Sequence, residues 1–264
     1  MIKWDRSKGS PEPIRLLNRI QEIENDEPLV DVREFCPTMK IVRPAVIPYV
    51  REAVARMCEA AAQKLPSGYQ LGLVEGWRPI ERQQRIYDFM WKSAVEAFPH
   101  RDVAALRRTV CRWVAPTDQK APPGHCTGGA VDVWLIDETG EPIDVSSPFD
   151  RYQAAPTYSH GLTELAETNR LLLVETMISV GFSNCRDEWW HYSFGDAGWA
   201  VRVGESRCRY GIVRMNPALY EEEERLWIEA AKTRQSPFAS KASEVASPEQ
   251  PESSADPGAS RHSA

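Results

Sequence analysis

The sequence contains no run of about 18 apolar residues, the length that a membrane-spanning helix needs. Its opening stretch, MIKWDRSKGSPEP, carries charges but no apolar segment of the kind found in secretory signal peptides. Basic residues are not in excess either, because 32 Lys and Arg against 38 Asp and Glu give a net charge of -6. The composition therefore predicts no membrane partner, no nucleic-acid partner and a cytoplasmic location.

Cysteine pairs at C-x-x-C spacing are also absent, which argues against a zinc ribbon and against a redox motif. In a reducing compartment we expect free thiols at all six positions, which are Cys36, Cys58, Cys111, Cys126, Cys185 and Cys208.

Histidine is scarce, with five in the chain. His262 lies in a polar tail, and His100 and His160 lie in polar, turn-like stretches. This leaves His125, on a glycine-rich turn, and His191 as the candidate functional histidines.

With 42% hydrophobic residues and nine tryptophans, the chain has enough apolar material for a sizeable core. We interpret residues 1–234 as a single domain and residues 235–264, which are mostly Ser, Pro, Ala and Glu, as a disordered tail. Apolar spacing and capping residues predict helices over residues 12–24, 47–65, 79–91, 162–180 and 216–232. Strands are predicted over residues 69–77 and 188–194.

The stretch GHCTGGAVDVWLID places Asp132 inside a run that is otherwise typical of a buried strand. An unpaired carboxylate there would cost several kcal/mol, so Asp132 should have a cationic or metal partner. His125 lies seven residues before it, and His191 lies in the aromatic stretch DEWWHYSF. Two histidines and one carboxylate are a common ligand set for catalytic zinc. Glu188 would then be the acid that takes a proton from water without binding the metal.

The spacing of Glu188 and His191 raises a geometric problem, because residues three apart in a regular strand point to opposite faces. We therefore expect Glu188 at a loop-to-strand junction or beside a bulge. Taken residue by residue, simpler interpretations stay open. A single histidine on a strand can be an ordinary core or surface residue, and Asp132 can be a turn or cap residue. Arg78 can be a surface ion-pair partner, and Cys126 a small buried residue.

Four segments taken together resemble one family. EGWRP, GHCTGGAVDVWL, NRLLLVETMISVGF and EWWHYSFGDAGWA occur in the order found in the D-alanyl-D-alanine dipeptidase family, the VanX-type zinc peptidases. The resemblance covers roughly residues 27–215. The H-x-x-G-x-A-x-D element of the family matches His125 to Asp132, and its E-x-x-H element matches Glu188 and His191.

The resemblance implies one zinc ion per chain, bound by His125, Asp132 and His191. It implies that Glu188 is the catalytic base and that Arg78 stabilises the oxyanion of a tetrahedral intermediate. These assignments follow from the matching positions alone.

The resemblance further implies that Asp150, in SPFD, lies near the ammonium group of the substrate. The implied fold is α+β, with a central, largely antiparallel sheet and flanking helices, as in hedgehog-like and D-Ala-D-Ala peptidase domains.

The implied activity is hydrolysis of a small D,D-dipeptide, D-alanyl-D-alanine above all. Two alternatives remain: a peptidoglycan D,D-carboxypeptidase or endopeptidase of the same fold, and a non-enzymatic binding protein that contains zinc. The sequence does not indicate the oligomeric state.

Overall fold

The structure, a computed structural model, describes residues 12–150 and 153–238. The strands are β1 (Gln21–Glu22), β2 (Leu29–Asp31), β3 (Lys40–Ile41), β4 (Tyr49–Arg51), β5 (Gln70–Glu75), β6 (Ala130–Ile136), β7 (Ser183–Cys185), β8 (Glu188–Ser193) and β9 (Arg207–Cys208). The α-helices are α1 (Ile14–Leu17), α2 (Val32–Phe35), α3 (Glu52–Ala62), α4 (Ile80–Ala97), α5 (Val103–Val110), α6 (Glu164–Ser179), α7 (Ala197–Val203) and α8 (Glu221–Ala231). Short 3-10 turns lie at Gly124–Thr127 and Pro217–Leu219.

The central sheet has five strands in the order β3-β5-β6-β8-β7. β3 is parallel to β5, and the other three pairings are antiparallel. Two small sheets accompany it, β1 parallel to β9 and β2 antiparallel to β4. The predicted α+β fold with a largely antiparallel central sheet is confirmed. No helix in the described part of the chain is long and apolar enough to cross a membrane.

One face of the central sheet forms the main core. Alternate residues of β6, Val131, Val133 and Leu135, are at most 1% exposed and belong to this core. Helix α6 packs on the same side, where Leu173 and Met177 are fully buried. Because side chains alternate along a strand, Asp132 must point to the opposite face. The run of apolar neighbours in the sequence suggested that Asp132 is embedded in the apolar core. The structure places its side chain on the other face of the sheet instead.

A second, smaller core forms between α4 and α5, and it includes the end of the described chain. Phe238 is 4% exposed, and its ring centroid lies 5.7 Å from that of Phe98. Phe238, which the sequence analysis assigned to the disordered tail, therefore packs in this core. The rest of that tail, residues 239–264, lies outside the described residues.

Three predicted helices differ from the structure. The helix predicted over residues 47–65 begins only at Glu52, because Tyr49–Arg51 pair with Leu29–Asp31 as a short antiparallel ladder. The helix predicted over residues 12–24 is wrong beyond Leu17, because Gln21–Glu22 pair with Arg207–Cys208 as a short parallel ladder. The helix predicted over residues 216–232 is interrupted at Tyr220, whose φ of -142° is not helical. The ring of Tyr220 packs edge-on against Trp77 at 5.2 Å. Tertiary pairing and packing thus outweigh the local helical preference in all three segments.

Candidate active site

A row of polar side chains crosses the face of the sheet that is turned away from α6. Strand pairing places Asp132 directly opposite Glu75 on β5 and directly opposite His191 on β8. Side chains of directly opposed residues share one face of a sheet. The β5–β6 register is irregular between Leu73 and Glu75. Since a bulge changes the face to which the next residue points, this irregularity turns Glu75 away from the core and towards Asp132.

His125 joins this row from the 3-10 turn that precedes β6. Its Nδ1 lies 2.9 Å from the carbonyl oxygen of Gly76. Because a carbonyl only accepts, Nδ1 carries the proton and Nε2 is left with a free lone pair. A side chain at position 76 would bring its Cβ within 2.9 Å of the carbonyl oxygens of Ile47 and Tyr49. Glycine is therefore required where the chain supports this histidine.

His125, Asp132 and His191 meet closely enough to bind one metal ion. Asp132 Oδ1 lies 3.3 Å from His125 Nε2 and 3.0 Å from His191 Nδ1. One candidate ligand atom from each residue lies within 4.8 Å of the others. Two imidazole nitrogens and one carboxylate are the donor set that zinc binds in catalytic sites.

The charge state of Asp132 also suits a ligand. Burial by itself would raise the pKa of this carboxyl, but its electrostatic interactions with His125 and His191 hold the pKa well below its usual value. The carboxylate is therefore ionised at neutral pH, as a metal ligand must be. The thiol of Cys126 differs, since burial raises its pKa to about 12. Although Cys126 lies beside His125, its protonated thiol is not suited to bind a metal. This agrees with the interpretation of Cys126 as a small buried residue.

An irregularity in β8 bears on the spacing of Glu188 and His191. The β7–β8 register shifts between Asn184 and Cys185 on β7. The Asn184 amide nitrogen lies 3.4 Å from the carbonyl oxygen of Glu188 and 2.9 Å from that of His191. Asn184 is fully buried, and its side-chain amide donates to these carbonyl groups where the β7–β8 register shifts. Glu188 and His191 consequently line the same cavity although they are three residues apart.

The predicted ligands open onto a cavity of about 480 Å³, within the range of small-molecule sites. Arg78 and Glu188 line it together with all three predicted ligands. Trp113 and Trp190 contribute apolar surface to its wall. The cavity therefore brings the metal-binding donor set together with the Glu188 carboxylate and the Arg78 guanidinium. Other charged residues line it as well, namely Glu12, Arg112, Arg186, Asp187 and Asp196.

Arg78 follows β5 and is fixed by several contacts. Its backbone N–H donates to the carbonyl of His125 at 3.1 Å. Its Nε donates to Glu75 Oε1 at 3.2 Å, and its Nη1 donates to Gln83 Oε1 at 2.7 Å. Burial would lower the pKa of Arg78, but attraction to Glu75 and Asp132 outweighs it and raises the pKa. Arg78 is thus a permanently charged group that lines the cavity. The alternative interpretation, that Arg78 is a surface ion-pair partner, is wrong.

Comparison with known proteins identifies the family. The family model described as D-ala-D-ala dipeptidase matches residues 18–207. The chain belongs to the D-ala-D-ala dipeptidase family. A D-alanyl-D-alanine dipeptidase of Synechocystis sp. is 28% identical over 183 residues, covering 60% of this chain and 74% of the relative. One of Escherichia coli is 25% identical over 148 residues, covering 56% of this chain and 66% of the relative.

The solved structures include a vancomycin resistance D,D-pentapeptidase, VanY, in complex with Zn(II). It shares 18% sequence identity with this chain, covers 60% of it and 80% of its own length, and superposes with a TM-score of 0.34. A similarity at this level supports no inference about the site. Family membership rests on the sequence match.

In this member of the dipeptidase family, Asp150 lies apart from the other predicted site residues. It is exposed, and its Oδ1 accepts a hydrogen bond from the backbone N–H of Gln153 at 2.8 Å. Asp150 is not among the described residues that line the cavity. The structure thus groups Arg78, Glu188 and the three predicted ligands, and it leaves Asp150 outside the group.

Sequence reasoning missed three residues that shape this site, Glu75, Gln83 and Asn184. Glu75 had a usable signal, because a carboxylate at the end of the apolar strand YQLGLVE needs a cationic partner as Asp132 does. Burial would raise the pKa of Glu75, but attraction to Arg78, His125 and Arg82 lowers it. Gln83 and Asn184 are neutral amides, and nothing in their local sequence distinguishes them.

Proposed function

We propose that this protein is a zinc-dependent dipeptidase that hydrolyses D-alanyl-D-alanine. The observation that carries the proposal is the meeting of His125, Asp132 and His191 in one cavity with Glu188 and Arg78, in a chain of this family. A binding protein that merely holds zinc would need neither the extra carboxylate nor the buried guanidinium. The enzymatic interpretation accounts for both.

The residues present fit zinc. Nε2 of His125 is free because Nδ1 is engaged by Gly76, and the Asp132 carboxylate is ionised and faces both histidines. His125, Asp132 and His191 would hold the ion. When bound, zinc supplies a Lewis acid that acidifies a water molecule and polarises a peptide carbonyl.

Glu188 and Arg78 then have separate tasks. Glu188 would accept a proton from the attacking water and pass it to the leaving amine, which makes it both general base and general acid. Arg78 would stabilise the negative charge that develops on the carbonyl oxygen. One such donor contributes about 10²- to 10³-fold in rate. The contacts of Arg78 with Glu75 and Gln83 support this role, because they fix the guanidinium before substrate arrives.

Asp150 is proposed as the group that binds the ammonium of the dipeptide. This assignment rests on the resemblance of SPFD to the family and not on the geometry. A location in the cytoplasm is also proposed. All six cysteines are free thiols, as expected in a reducing compartment.

A substrate panel tests the proposed activity. The zinc-loaded protein is incubated with D-alanyl-D-alanine, with L-alanyl-L-alanine and with a peptidoglycan stem pentapeptide, and released amino acid is measured. We expect release from D-alanyl-D-alanine above the other two. Release from the pentapeptide alone would show a D,D-carboxypeptidase of the same fold, and release from none would remove the enzymatic proposal.

A further inference from the structure

The side chain of Gln83 connects two parts of the cavity wall. It lies in the first turns of α4 and is 1% exposed. Its Oε1 accepts from Arg78 Nη1 at 2.7 Å, and its Nε2 donates to the carbonyl oxygen of Ala115 at 2.7 Å. A guanidinium only donates and a carbonyl only accepts, so the orientation of the amide is unambiguous. Both of its ends are satisfied inside the protein.

The two contacts of the Arg78 guanidinium differ in what they can fix. Glu75 receives a bond from Nε at 3.2 Å, while its Oε1 also lies 3.8 Å from Arg82 Nη1. Glu75 therefore supplies charge that is shared between two arginines. Gln83 adds the shorter bond, to Nη1, and as a neutral group it does not reduce the positive charge that Arg78 presents. With both Nε and Nη1 held, the plane of the guanidinium is defined.

We propose that Gln83 is a positioning residue, which holds the Arg78 guanidinium at the place where negative charge develops in the transition state. This inference rests on the proposed function. Donors that are oriented before the reaction stabilise a transition state without the cost of reorganising. Gln83 should therefore contribute to kcat and little to substrate binding.

The test replaces Gln83 by Met, which has similar length and no amide, and in a second variant by Ala. For both we expect kcat on D-alanyl-D-alanine to fall about 10- to 10²-fold, as when a reacting geometry is displaced. KM should stay within about threefold, since the lost interaction acts in the transition state. Zinc content and a thermal melt of each variant establish that metal site and fold are intact.

The neighbouring Gln84 supplies a matched control. It lies on the same helix but is exposed, and its amide donates to Asp88 at 2.8 Å. Its Oε1 accepts from the hydroxyl of Thr117, in the loop that also contains Ala115. Gln84→Met thus loosens the same loop without touching Arg78. Its kcat should stay within about twofold of wild type, and a loss equal to that of Gln83→Met would overturn the inference.

A double-mutant cycle with Arg78→Ala decides whether Gln83 acts through Arg78. If it does, adding Gln83→Met to Arg78→Ala should reduce kcat no further, because the group being positioned is already gone. Additive losses would contradict the inference. Binding of a phosphinate dipeptide, a tetrahedral mimic, is measured by calorimetry over the same cycle. Gln83→Met should weaken this binding when Arg78 is present and leave it unchanged in Arg78→Ala, and equal weakening in both backgrounds would contradict the inference. Lack of hydrolysis by the wild type would count against the proposed function, whereas failure of the positioning role would appear only in the variants.

Discussion

Replacing Arg78 by Ala should affect both catalysis and stability, by amounts that the structure allows us to separate. Loss of one oxyanion donor should reduce kcat about 10²- to 10³-fold, or roughly 3 to 4 kcal/mol of transition-state stabilisation. The same change leaves the Glu75 carboxylate without its hydrogen-bonded partner. Arg82 remains at 3.8 Å, so Glu75 keeps a cation nearby and the loss of folding stability should be about 2 kcal/mol.

Steady-state kinetics on D-alanyl-D-alanine and thermal unfolding measure the two effects. About 2 kcal/mol corresponds to a fall in Tm of roughly 4 to 8 °C for a domain of this size. Arg78→Lys is the control, because it restores positive charge beside Glu75 but not the planar fork that contacts Gln83. It should recover most of the stability and little of the turnover. Unchanged kinetics of Arg78→Ala would refute the catalytic role of this residue.

Three further predictions concern substrate binding and the end of the domain. If Asp150 binds the substrate ammonium, Asp150→Asn should raise KM for free dipeptides far more than for N-acetylated ones, and equal effects would remove Asp150 from substrate binding. Deletion of residues 239–264 should leave Tm and activity unchanged, because their composition offers little apolar surface to bury. Phe238→Ala should by contrast cost about 2 kcal/mol and lower Tm by several degrees, since this ring is buried against Phe98. If Tm falls with the deletion but not with Phe238→Ala, residues 239–264 and not Phe238 stabilise this end of the chain, which would contradict the prediction.

The proximity of the predicted ligands could be foreseen because each lies in a short motif with fixed spacing. Asp132 in an apolar strand required a partner, and the structure supplies His125 from the preceding turn and His191 from the adjacent strand. The expected bulge near Glu188 is present as a register shift between β7 and β8. The family resemblance supplied the link between the two motifs, which the pairing of β6 with β8 brings together in space.

Other features depend on pairing between distant segments, which a single sequence does not encode locally. Glu75 faces Asp132 only because the β5–β6 register is irregular at that point. The predicted helix over residues 12–24 fails because β9, almost 190 residues away, offers a backbone ladder to Gln21–Glu22. Gln83 contacts Arg78 and Ala115 across a loop whose conformation is set by tertiary packing. Spacing and composition contain no signal for such contacts.

The most direct test of the account separates the ligand role of His191 from the proton-transfer role of Glu188. Each is replaced by Ala, and zinc per chain and turnover of D-alanyl-D-alanine are measured on the same preparations. His191→Ala should lose both metal and activity, because two remaining ligands hold zinc poorly. Glu188→Ala should keep about one zinc per chain and lose turnover by about 10²-fold or more. A Glu188→Ala protein that loses its zinc, or that keeps full activity, would contradict the assignment.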